Sequence, residues 1–212
     1  MTEINNWMNK YFLKLNPVKT EIILLCPPNL KSVSKINGVF IGNTCIRFSS
    51  KVKLLGVHID NYLDFDHHVS KIVSSSMYHL KNIAKLKRYL SQSDTEKLVH
   101  ALISSKLDYC NAVLFGVKSS SIAKLQTVQN KAAMLVLGLR AHASVTDVLL
   151  NNLHWLKIDL RIVFKLLLLS HKFFINTAPE YFTKQLTVVN HSERLLRVLH
   201  LQSKYGQRSF SY

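Results

Sequence analysis

Carboxylates are the residues with which this chain could gather divalent cations, because two-metal phosphoryl chemistry needs acidic oxygens converging on ions about 3.5 to 4 Å apart. The acidic positions are Glu3, Glu21, Asp60, Asp64, Asp66, Asp94, Glu96, Asp108, Asp147, Asp159, Glu180 and Glu193, and no two are neighbours. The adjacent aspartate pair by which many polymerases hold metal is therefore absent from this sequence. The densest group, Asp60, Asp64 and Asp66, falls between a predicted strand and a predicted helix. There, short acidic side chains serve by accepting hydrogen bonds from turn and helix-start amides, and that is the expectation here.

Ten histidines invite a metal or acid/base reading. No HExxH spacing occurs, however, and His67 and His68 are adjacent, which on a helix turns their side chains about 100° apart. Surface or partly buried histidines are expected. The sequence holds no Gly-x-Ser-x-Gly elbow, Walker loop or dinucleotide fingerprint, so nucleophilic hydrolase and P-loop chemistry have no footing. Cys110 follows Tyr109 in an apolar helical context and reads as a core thiol rather than a nucleophile. With Cys26 and Cys45 it makes an odd number lacking CxxC spacing, which argues against a disulfide scaffold or zinc finger. An intracellular, reducing compartment follows, nuclear or cytoplasmic.

Positive charge rises above this background. Twenty-eight Lys and Arg against twelve Asp and Glu leave a formal charge of +16, which points to a polyanionic partner: nucleic acid first, an anionic membrane surface second. Lys71, His79, Lys81, Lys85, Lys87 and Arg88 flank the apolar stripe of the longest predicted helix and its exit. They can neutralise successive phosphates while the stripe stays buried; the alternative is a merely solvated helix face. The tail cations Arg194, Arg197, Lys204 and Arg208 add charge without geometry. The most hydrophobic run, within residues 162–175, is interrupted by Lys165, His171 and Lys172, well short of the roughly 20 apolar residues of a membrane span. It reads as a buried helix, and no membrane partner is expected. The polar N-terminus carries no secretory signal.

The elements that must position these groups follow from periodicity. At 48% hydrophobic content, 212 residues can bury a core as one ordinary domain or two small ones. Ile4, Trp7, Met8 and Tyr11 recur at helical spacing, predicting a short amphipathic helix that ends before Asn16-Pro17. Glu21 to Leu25, bounded by Pro27-Pro28, predicts a buried strand. Asn37-Gly38 and Gly42-Asn43 punctuate short apolar stretches as turns, and a strand from Val52 to Ile59 closes a small sheet. From Asp66 the period becomes helical, with Val69, Ile72, Val73, Met77, Leu80, Ile83 and Ala84 on one face. Ser93-Asp94-Thr95-Glu96 predicts a capping box and a second helix. A third helix spans 121–137 and stops at Gly138. Ser144-Val145-Thr146-Asp147 offers another start, Asp159 caps the segment ending near Ile175, and the tail after His191 is basic and loosely ordered.

Five blocks, in order, resemble a known family. Trp7-Met8-Asn9 with Leu13-Lys14-Leu15-Asn16-Pro17-Val18-Lys19-Thr20-Glu21 resembles the late-palm stretch of jockey-like and related non-LTR retrotransposon reverse transcriptases. Residues 52–60, from Val52 through Leu55-Gly56 to Asp60, are similar to the strand that follows it. Leu107-Asp108-Tyr109-Cys110-Asn111, the run from Leu125 to Ala133 and the run from Leu153 to Ile158 resemble later blocks of the same elements. Together they cover most of residues 5 to 185.

The resemblance implies a parent that copies RNA into DNA with Mg²⁺. It implies an α+β, mostly α fold: a small antiparallel palm-end sheet with one helix over 1–63, a thumb-like helical bundle over 64–140, a post-thumb helical region over 141–190 and a basic tail over 191–212. Lys19 stands at the late-palm lysine, a proton donor to leaving pyrophosphate, and Asn16 shapes its loop. Leu55 and Gly56 fall in the strand that supports the primer end, and Lys71, Lys81, Lys85, Lys87 and Arg88 lie where a thumb holds the product duplex. Departures accompany these matches. Fingers, both aspartate-bearing strands and an endonuclease would precede Met1; Ala133-Met134 lacks an arginine common in the family, and Lys157 replaces a proline. The expectation is a truncated fragment of an RNA-directed DNA polymerase that binds RNA/DNA duplex non-specifically, holds no metal or other cofactor and has no independent catalysis. Alternatives are a helical module docking onto nucleic acid or a full-length element polymerase, or a relic without function. The purified chain is expected to extend no primer in Mg²⁺ or Mn²⁺ buffer; dNTP incorporation abolished by mutating one of its acidic residues would overturn this.

Overall fold

A computed structural model describes residues 2–26, 38–41, 44–139, 151–184, 186, 188–190 and 195–196. Pro27-Pro28, Asn37, Gly42-Asn43, the helix start expected at Ser144 to Asp147 and nearly all of the tail after His191 lie outside these residues. The fold is α+β and mostly α, and the chain divides into two compact units, Met1–His68 and Val69–Tyr212.

In the first unit, helix α1 (Thr2–Lys10) forms as the spacing predicts, but its stripe is open to solvent. Ile4, Trp7 and Tyr11 are 53%, 57% and 54% exposed. Strand β1 (Ile22–Ile23) is shorter than the buried strand expected and only half-buried, and it pairs in parallel with β3 (Thr44–Ser49). Strand β2 (Gly38–Ile41) pairs antiparallel with β3, Ile41 opposite Thr44. Next come β4 (Lys51–Leu54) and β5 (Val57–Asp60), paired antiparallel with Leu54 opposite Val57.

This hairpin corrects the sequence reading, which placed Leu55 and Gly56 inside one strand. The chain reverses at them, with φ of +46° and +88°. A type I′ hairpin turn, whose twist matches that of the strands, needs positive φ at both central positions. Glycine adopts it freely, and Leu55 does so at roughly 1 kcal/mol.

In the second unit, α2 (Asp66–Leu86, entering from the first unit) buries Val69, Ile72, Leu80 and Ile83. Val73 and Met77 are half-buried, and Ala84 proves exposed. Ser76, 0% exposed, completes the stripe, because 100° per residue puts it between the buried positions on the helical wheel. A 3-10 turn over Lys87–Tyr89 ends this segment. Helix α3 (Gln92–Val99) starts two residues before the expected box. Ser91, extended at ψ 164°, is the cap: its Oγ accepts the Asp94 N–H at 3.1 Å and donates to the Asp94 carboxylate at 2.7 Å. The helix continues through a π turn over His100–Ser104 into α4 (Ser105–Asp108). Cys110 then adopts φ +51°, exposed, in the turn leading to a 3-10 segment over Asn111–Leu114. It is therefore a surface turn residue and not the core thiol expected.

Helix α5 (Ser119–Leu137) ends as predicted at Gly138, φ +68°, whose N–H bonds the Met134 carbonyl. Helix α6 (Ile158–Phe174) is followed by α7 (Glu180–Thr183) and the antiparallel pair β6 (Val188–Asn190) and β7 (Leu195–Leu196). The core of this unit joins Val99, Ile103 and Leu107 to Leu125, Val128, Ala132, Ala133 and Val136, and to Trp155, Ile158 and Ile162, all no more than 5% exposed. Helix α6 is not the buried helix expected: Leu160, Val163, Phe164 and Leu167 are 41% to 63% exposed.

Nor does Asp159 cap it. The cap position is Lys157, which makes no side-chain bond there, and Asp159 instead accepts the Leu160 N–H at 2.9 Å. The open amide of Ile158 is taken from another helix, by Gln126 Oε1 at 3.0 Å. Gln126 Nε2 donates to Gln129 Oε1 at 2.9 Å and Asn130 Oδ1 at 2.8 Å, and Gln129 Nε2 donates to the Leu156 carbonyl at 2.8 Å. Arg161 Nε meets the same carbonyl at 2.8 Å, while its Nη1 reaches both Asp108 oxygens at 3.0 and 2.8 Å. Gln129→Leu keeps volume and removes two hydrogen bonds at a buried site, so a loss of about 2 kcal/mol in urea unfolding is expected. Thr127→Ala, exposed on the same helix, is expected to cost under about 0.5 kcal/mol.

Candidate nucleic-acid interface

Lys71, Lys81 and Lys85 are exposed on α2. At 100° per residue they fall within about 80° of one another, centred about 180° from the stripe of Val69, Ile72, Ser76, Leu80 and Ile83. Burial of that stripe turns the three ammonium groups outward along about 21 Å of helix axis. Tyr78, 64% exposed, lies among them. No acidic residue occurs from His67 to Ser93, and among the described residues none of the three lysines forms an ion pair. A basic row interleaved with an aromatic ring suits phosphates with a stacking surface between them. The sequence reading missed Tyr78, which the same helical wheel would have placed.

The remaining cations of the segment are engaged within the fold or beside it. Lys87 Nζ donates to the Val136 carbonyl at 3.0 Å and to Thr95 Oγ1 at 3.3 Å, so it serves the carbonyl end of α5. His79 Nε2 stands 3.0 Å from the ammonium of Lys106, which also donates to Ser75 Oγ; facing a cation, that nitrogen acts as acceptor. Arg88 lies 4.6 Å from the centre of the Tyr89 ring, a cation–π contact at the surface.

In the first unit, Asn16 shapes the turn that carries Lys19. Its Oδ1 accepts the N–H of Val18 at 3.0 Å and of Lys19 at 3.3 Å, and its carbonyl accepts Thr20 Oγ1 at 2.8 Å. Lys19 is exposed, and Leu55, at the hairpin tip, is 82% exposed. The Asp60 carboxylate is committed to its own loop: Oδ1 accepts from the amides of Tyr62 (3.1 Å) and Asp64 (2.9 Å), Oδ2 from Phe65 (2.7 Å). Among the described residues no group of His, Cys, Asp or Glu is arranged to hold a metal ion, and no helix is long and apolar enough to cross a membrane.

Three histidines do meet. His58 and His67 rings are 5.1 Å apart, His58 and His68 6.3 Å. His68, 4% exposed, accepts the His58 backbone N–H on Nδ1 at 3.4 Å, so its proton sits on Nε2, which is buried without a partner. Burial lowers its pKa, and the charges of His58 and His67 push the same way.

The chain matches no family model, no curated protein and no solved structure.

A histidine whose folded pKa is depressed contributes stability in full above its unfolded value of 6.5 and loses it as pH falls below that value toward the folded pKa. The urea midpoint of the first unit is expected to drop between pH 7.5 and pH 5.5, and His68→Leu to flatten that dependence. A midpoint that does not change with pH in the parent chain would contradict the assignment.

Proposed function

We propose that the chain binds nucleic-acid duplex, RNA/DNA hybrid included, without sequence preference through the exposed row of α2, and that it does not polymerise by itself. The observation that carries this is the placement of Lys71, Lys81 and Lys85 directly opposite a buried stripe, in a stretch without acidic residues. Such groups supply the phosphate-neutralising, sequence-independent term of affinity. The ordered blocks from Trp7 to Ile158 support reading the chain as a late-palm, thumb and post-thumb part of a non-LTR retrotransposon reverse transcriptase. On that reading the Leu55-Gly56 hairpin lies where the primer end is supported, a full-length element polymerase is a natural partner, and the compartment is nuclear or cytoplasmic. With no two acidic residues adjacent, Lys19 has no metal-held phosphate to protonate, and transition-state charge goes unstabilised.

A salt titration tests the reading. Log affinity for hybrid duplex should fall linearly with log salt, and Lys71→Gln, Lys81→Gln and Lys85→Gln together should reduce the slope by about 2 to 3, near 0.9 per phosphate contact. A flat slope favours docking onto protein, for which the exposed Leu160, Val163 and Leu167 row of α6 is suited.

A further inference from the structure

A cleft of about 350 Å³ opens in the second unit between Asp108 and Asn111 on one side and the start of α6 on the other. Its most buried lining residue is Asn111, 5% exposed, whose Oδ1 has no hydrogen-bond partner. Leaving a buried carbonyl unpaired costs about 1 to 3 kcal/mol. An amide so placed gains by turning toward any hydrogen-bonding edge that fills the cleft. The pair of Asp108 and Arg161, in which one Nη1 reaches both carboxylate oxygens, is fixed and electrically balanced, which leaves exposed Lys165 as the net positive charge. Phe164, 55% exposed, and Leu156, 40% exposed, give the cleft an apolar face. The rim residue His154 is held at φ +54°, a conformation that costs energy and recurs at binding sites.

These groups select among ligands. A simple anion would use Lys165 and leave both the apolar face and the Asn111 amide unanswered. The volume is at the lower end of the range for small-ligand sites, about 300 to 1,000 Å³, so it admits a single nucleotide and excludes a duplex. An aromatic ring stacks any base, a side-chain amide bonds base edges, and a lysine meets a phosphate.

We infer that this cleft takes one unpaired nucleotide of a nucleic-acid strand, its base against Phe164, its edge on the Asn111 amide and its phosphate at Lys165. The inference rests on the nucleic-acid reading of α2 and adds to it a contact that depends on the base. It is tested with the full chain by fluorescence anisotropy, comparing a ten-adenine DNA strand with an abasic strand of equal length and phosphate number. The adenine strand is expected to bind at least about fivefold tighter, since stacking one base on an aromatic side chain gives that much or more. Phe164→Ala, on the solvent face of α6, and Asn111→Leu, checked for native circular dichroism, should each bring it toward the abasic affinity and leave abasic binding unchanged. The triple lysine variant should weaken both strands alike. Equal affinity of the two strands, or discrimination that survives both cleft variants, overturns the inference while the α2 reading stands. Absence of binding to either strand overturns the cleft inference, failure of hybrid duplex to bind in the salt titration overturns the α2 reading, and displacement of the adenine strand by a Phe- and Asp-rich peptide overturns the inference by assigning the cleft to protein.

Discussion

The second unit depends on how residues 153–157, which form no helix or strand, are held. Such a segment must find partners for its backbone groups elsewhere, and here a side-chain network supplies them. Gln126 and Gln129 project one turn apart from α5. One supplies an acceptor to the first amide of α6, and the other donates to the carbonyl of Leu156, which Arg161 also meets before clasping Asp108. Three stretches distant in sequence are thereby locked together, and Trp155 and Ile158 beside the network are buried. The cleft over Asn111 exists because that clasp fixes one of its walls.

The lysines of α2, its exit and α4 divide between two duties. Those whose ammonium reaches a carbonyl or hydroxyl of another helix, Lys87 and Lys106, fasten α2 to α5 and α4. Those on the far side of α2 have only water and ions to meet. Charge count alone does not separate the groups; the angular position relative to the buried stripe does, and it also turns Tyr78 outward.

Features governed by local periodicity were legible. The long helix from Asp66 and the stop at Gly138 follow from rules that act within a few residues. The departures arise where distant contacts decide. Val52 to Ile59 reads as one strand because its apolar residues are nearly continuous, and only the pairing of Leu54 with Val57 reveals a turn. Ser91 and Ser93 both suit a cap, and the extended backbone at Ser91 selects between them. Asp159 looked like a helix cap because nothing local announces that Gln126 arrives from another helix. The apolar run of α6 suggested full burial, yet composition cannot say how much of a helix its neighbours cover. At the candidate site, the lysines of α2 were visible in the sequence, whereas the joining of Asp108, Asn111 and Arg161 required the fold.

The π turn over His100–Ser104 has a consequence for helical phase. Val99, Ile103 and Leu107 all enter the core, at 0%, 0% and 4% exposure, although two steps of four residues on a regular α-helix drift by about 80°. Admitting an extra residue into one turn winds the spiral back and cancels most of that drift. The mismatch is absorbed in a single loop of backbone, so the helix keeps one edge against its neighbours along its whole length and delivers Asp108 on the side where Arg161 waits.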